Sequence, residues 1–140
     1  MITDLTVKLV EKHFHFLIEK GYFSPSITTN NREISLVYKP AQPNQATLSI
    51  IYDGYGLPYV QVTPLWLKNT QEVTRTFALI EAIKIINPVT FTKLNHYSQQ
   101  KNSHSQLDNC LGIMVDVLKN HSIKILSPDS SFVEKIELFR

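Results

Sequence analysis

Hydrophobic positions over residues 4–20 recur at helical spacing. Steps of about 100° bring Val7, Val10, Phe14, Leu17 and Ile18 to one side, with Leu5, Leu9 and Phe16 on its flank. Lys8, Glu11, Lys12, His15 and Glu19 fall on the opposite side. A strand needs a period of two, which Phe14, Phe16, Leu17 and Ile18 break. Gly21 suits the helix end, because glycine takes positive φ without a steric cost. His13 and His15 therefore diverge; on a strand they would share a side and could grip one metal ion.

The period then changes. Ile34, Leu36 and Tyr38 share one face of REISLVYK, Leu48, Ile50 and Tyr52 one face of ATLSIIYD, and Val60 and Val62 one side of LPYVQVT. PAQPNQ separates the first two runs, and its prolines cannot belong to a paired central strand. DGYG separates the second and third and suits a tight reversal. Short connections favour antiparallel neighbours, which predicts a three-stranded meander. One face packs inward, and the other, near Ser35, Thr47, Ser49 and Gln61, is partly wet.

A second helix is expected to begin at Asn69 or Thr70, either of which can cap it, and to run through EVTRTFALIEAIKII. Asn87-Pro88 ends it, since proline disfavours helical geometry in the residue before it. VTFTKL, residues 89–94, reads as a fourth strand or as an extended connector. A third helix spans about Ser105 to Lys119, with an apolar arc of roughly 200° that includes Leu107, Cys110, Leu111, Met114 and Leu118. An arc so broad implies burial between two elements. SSFVEKIELF opens with Ser131 and Glu134 at capping-box spacing and can fold back through Phe132, Val133, Ile136 and Phe139. The fold class expected is α+β, a three- to four-stranded antiparallel sheet with helices packed on one face.

Composition narrows the function more than the fold. The 140 residues suit one domain spanning residues 1–140. An apolar share of 43% and a charged share of 19% fit an ordinary globular protein. Net charge is +2, and no run of lysine and arginine makes a phosphate-tracking stripe, so a nucleic-acid partner is not expected. The single cysteine excludes an intrachain disulfide and a multi-cysteine zinc site. No stretch reaches the eighteen or so apolar residues of a membrane span, and the start, broken by Lys8, Glu11 and Lys12, is not a secretory signal. A soluble, cytoplasmic protein is the expectation. Only HYSQQKNSHSQ, residues 96–106, approaches low complexity.

Candidate chemistry is sparse. Glu11, His15 and Glu19 lie on one helical line and would be the start of a metal site, but no further His, Cys or carboxylate cluster completes a coordination shell, so they read as (i, i+4) pairs on a solvated face. Cys110 aligns with Leu107, Leu111, Met114 and Leu118, which marks it as a buried thiol and not a nucleophile. Gly54 and Gly56 stand between two strands, whereas phosphate cradles stand between a strand and a helix. No catalytic residue, metal ligand or cofactor is expected. What remains is YDGYGLPY, which gathers Tyr52, Asp53, Tyr55 and Tyr59 about one turn, with Trp66 shortly after. Loop aromatics are favoured interface anchors, and these five are the candidate protein-binding residues.

The succession of parts resembles small bacterial families of unknown function, some of which look like immunity proteins of polymorphic toxin systems. The phrases EKGYF, REISLVYK, SIIYDGYGLPYVQV and IKILSPDSSFVEKIE carry the likeness, in layout and hydrophobic wording. Pro128 precedes Asp129 where comparable proteins often have glycine. The resemblance implies a non-catalytic domain that binds and blocks a cognate toxin protein. Two other classes stand beside it: a small-molecule binding domain with its pocket between sheet and helices, and a metal-dependent enzyme centred on His15 with Glu11 or Glu19.

Overall fold

The period-two runs pair as an antiparallel meander, and two further strands join it that the hydrophobic pattern does not announce. The computed structural model describes residues 4–140. The first helical segment is α1 (Asp4–Phe14) followed by α2 (Phe16–Glu19). His15 between them keeps helical dihedrals, φ −59° and ψ −29°, so the two nearly continue one another. Gly21, at φ +94°, turns the chain out of the helix as expected. Then come β1 (Ser26–Thr29), β2 (Ile34–Tyr38), β3 (Thr47–Tyr52), β4 (Tyr59–Thr63) and β5 (Phe77–Ala78). They form one five-stranded sheet in sequence order, every neighbour antiparallel.

The strand count thus exceeds the three or four expected. All four residues of β1 are exposed, so no apolar alternation marks it. The Asn30 side chain sets up the turn that follows, accepting the backbone N–H groups of Arg32 and Glu33 at 2.8 and 2.9 Å. Strand β5 lies within the segment read as the start of the second helix. Asn69 does cap, but it caps a loop: its side chain accepts from Gln71 and Val73, and Lys68 bridges to Thr74. The helix itself, α3 (Leu79–Ile86), begins where Glu81 reaches back to accept the Ala78 N–H at 2.8 Å.

Residues 89–94 are neither strand nor connector. They belong to α4 (Pro88–Asn95). Asn87 closes α3 and caps α4 through Thr90 N–H at 3.2 Å, while Pro88 takes the first helical position, where its missing N–H is not needed. Helix α5 (His104–Asn120) matches its predicted span and gains a reciprocal cap between Ser103 and Gln106. Then follow α6 (Ser122–Leu126) and α7 (Ser130–Leu138). Helix α7 is capped by Asp129, which accepts the Phe132 N–H at 2.8 Å, and not by the Ser131–Glu134 pair.

The inward face of the sheet carries Ile34, Leu36, Tyr38, Leu48, Ile50, Tyr52, Val60, Val62 and Phe77, all buried. Against it lie Val10 and Phe14 of α1, Leu79 and Ile83 of α3, Leu111 and Met114 of α5 and Val133 of α7. Among the described residues the buried set contains no charged side chain, and its polar side-chain atoms are the phenols of Tyr22, Tyr38 and Tyr52 and the Cys110 thiol. Each fully buried Leu or Ile stabilises by about 1.5–3 kcal/mol, so this apolar layer outweighs the surface ion pairs that decorate it. Two ion pairs fasten α7: Arg75 with Glu137, and Arg140 with Glu81 at 2.8 Å.

His13 reaches from α1 to α5, with Nε2 2.6 Å from Asp108 Oδ1. That hydrogen bond holds the Asp108 carboxyl below the usual carboxylate range. A carboxyl depressed in the folded state stabilises above its unfolded pKa and loses that contribution as pH falls through the folded one. Asp108→Asn is therefore expected to lower stability near pH 6, and the gap to wild type should narrow near pH 3, read by urea unfolding at both pH values.

Candidate functional site

The turn joining β3 to β4 is built from two residues that must take positive φ, Gly54 at +91° and Gly56 at +67°. Asp53 accepts the Tyr55 N–H at 3.0 Å and tightens it. The turn is not free at its tip. Gly56 donates its N–H to Gln100 O at 2.9 Å, and Asn102 Nδ2 donates to Gly56 O at 2.9 Å and to Tyr97 O at 3.2 Å. The Tyr55 hydroxyl donates to Gln99 O at 2.7 Å. Residues 97–102, within the low-complexity stretch 96–106, are thus stitched to the turn by backbone, amide and hydroxyl groups.

Between these loops opens a cleft of about 540 Å³. Tyr52, Asp53 and Tyr55 form one wall, Lys101, Ser103 and His104 another, with Leu5 and Leu107 beside them. Tyr52 itself is almost wholly buried, and burial, with Cys110 and Asp53 nearby, raises its phenol pKa. Three of the five predicted residues, Tyr52, Asp53 and Tyr55, therefore meet in one place. Tyr59 sits beside the turn, opposite Ile51, on the other face of the sheet and 49% exposed. Trp66 follows the far end of β4 and does not join them.

The outer face is the larger feature. The strand register places Ser26 and Thr28 of β1, Ser35 and Val37 of β2, Thr47, Ser49 and Ile51 of β3, and Tyr59, Gln61 and Thr63 of β4 on that side. All are exposed or half-exposed, and Val37 and Ile51 stand outside the packed core. The chain carries 14 Lys and Arg and 12 Asp and Glu, yet these ten positions hold none of them. Sequence reading named only Ser35, Thr47, Ser49 and Gln61 here. Within the strand bounds the face is uncharged, and Glu33, Lys39 and Asp53 continue the same alternation just beyond the strand ends.

The groups weighed for catalysis are placed apart. Glu11, His15 and Glu19 do not assemble, and among the described residues no three His, Cys, Asp or Glu side chains gather as metal ligands would. Cys110 is fully buried, its thiol directed at Leu107 O at 3.4 Å, and burial pushes it up to about 11, which disfavours the reactive thiolate. A second open cleft, of about 800 Å³, lies where Ile85, Ile86 and Phe132 meet Lys124 and Lys135. No described helix is long and apolar enough to cross a membrane. Compared with known proteins, the chain matches no family model, no curated protein and no solved structure.

The stitching predicts a measurable sensitivity. A Cβ at Gly56 would stand 2.8 Å from Ser98 O, a backbone atom, in a conformation that side chains rarely adopt. Gly56→Ala should cost about 1–3 kcal/mol in denaturant unfolding, whereas Ala at exposed Tyr59 should leave stability within roughly 1 kcal/mol of wild type.

Proposed function

We propose that this chain is a non-enzymatic protein-binding domain whose docking surface is the uncharged outer face of the sheet, with Tyr59 and the Tyr55 turn at its margin. One observation carries the reading: ten neighbouring outward positions within the strand bounds hold no charge, and the charges nearest them in the runs, Glu33, Lys39 and Asp53, stand only at the rim. Interface cores are depleted in charged residues and enriched in aromatics, because every buried charge must be desolvated and re-paired. Serine and threonine hydroxyls lose little rotamer entropy on ordering and can give or accept a hydrogen bond. The face is therefore inexpensive to dry and still directional.

Among protein partners, the likeness in layout to immunity-type proteins favours a cognate toxin blocked by surface complementarity. A small-molecule pocket between sheet and helices has less support, since the space there is filled by packed side chains and both clefts lie at the surface. Tyr55 serves the surface in two ways, as an exposed ring and as a clamp on residues 97–102. Its truncation therefore mixes binding with loop order, and Tyr59 is the cleaner probe.

The test begins with the wild-type chain immobilised in an extract of its own cells and identification of the protein retained. Tyr59→Ala should weaken that protein's binding by about 1–2 kcal/mol, and Ile51→Glu should weaken it more, both with unchanged unfolding midpoints. For the immunity version, cells expressing the retained protein should be rescued by the wild type and not by Ile51→Glu. Equal affinity of all three chains would overturn the proposed surface.

A further inference from the structure

The two edges of the sheet are treated differently. At one edge, β5 is two residues long, buried on both residues, and passes directly into α3. Short, covered edges of this kind cannot template another strand. At the other edge, β1 is exposed along its whole length and carries no charged residue. No charged side chain and no proline lies within Ser26–Thr29, which spans four residues; Pro25 stands just before it.

The hydrogen-bond phase of this edge follows from its pairing. Asn30 donates its N–H to Glu33 O, and β1 pairs Ser26 with Val37 and Thr28 with Ser35 in the same register. Because antiparallel pairs alternate, Asn30, Thr28 and Ser26 direct their backbone groups at β2. Ile27 and Thr29 then direct theirs at the open edge.

We propose that this edge binds a second copy of the same chain, β1 against β1, antiparallel about a two-fold axis at Thr28. In that register Ile27 meets Thr29 of the second copy, and each pair exchanges two N–H···O=C bonds, so all four open donors and acceptors on each side are used. The two Thr28 residues face one another as a closely spaced, non-hydrogen-bonded pair. The edge fits itself because its open groups repeat with two-fold symmetry and because no like charges are brought together, as they would be for a strand bearing even one lysine. Ile27, 43% exposed on the helix-covered side, gains cover from Thr29 of the second copy. Two five-stranded sheets become one, and their uncharged outer faces become continuous. The contact is small, so association is expected at roughly tens to hundreds of micromolar.

Sedimentation velocity of the full chain from about 10 to 500 μM decides the matter. Wild type should move from 16.1 kDa toward twice that mass as concentration rises. Thr28→Lys and Thr28→Glu, each alone, place like charges opposite one another and should weaken self-association by roughly fivefold, while an equimolar mixture of the two should recover it. Thr28 is exposed, and circular dichroism of each variant checks that the monomer is intact. A wild type that stays at 16.1 kDa throughout, variants that associate as wild type does, or a mixture that does not recover would each overturn the β1 pairing.

Discussion

The structure depends on one face of the sheet being uncharged, almost wholly apolar and kept dry by helices. Alternate residues of β2, β3 and β4 supply that face, and α5 covers it with Leu111, Met114 and their neighbours. Because side chains alternate strictly along a strand, committing one set to the core hands the other set to the outside. The composition of the outer face is thus free of the demands of folding. It is filled with hydroxyls, an amide, Val37, Ile51 and Tyr59, and with no charge. A surface that serves solubility alone would mix both signs of charge.

The same constraint accounts for the groups that looked reactive in isolation. Cys110 is part of the dry layer. His13 is spent in joining α1 to α5 through Asp108. Gly54 and Gly56 shape a turn whose backbone is then bonded to residues 97–102. The turn, the loop and the capped start of α5 form one hydrogen-bonded unit at one end of the sheet. Its hydrogen bonds set the position of Tyr55, and pairing with Ile51 sets that of Tyr59.

The middle of the fold was legible in sequence because β2, β3, β4 and α5 each carry a strong period. Burial on one side only writes that period into the residues. Strand β1 was invisible because an edge strand exposed on both faces has no apolar alternation to read. The second helix starts later than its pattern predicts, because Asn69 caps a loop with the same side-chain chemistry that caps a helix. Residues 89–94 are helical where the pattern predicts extended chain, because Asn87-Pro88 both stops and starts a helix: proline disfavours the helical state before it and favours the first helical position for itself. Of the candidate site, the aromatic turn was legible from YDGYGLPY. The partner loop was not, since Gln99, Gln100 and Asn102 act through backbone and amide groups that any polar connector contains.

Hydroxyl-radical footprinting of the chain, free and with any protein it retains from its own cells, probes the proposed division between a dry face that folds and an uncharged face that binds. The account predicts that Val37, Ile51 and Tyr59 lose reactivity in the complex, while Ile123 and Leu138, 82% and 79% exposed on the helical side, keep theirs. Protection of Ile123 and Leu138 with Val37, Ile51 and Tyr59 unchanged would contradict it.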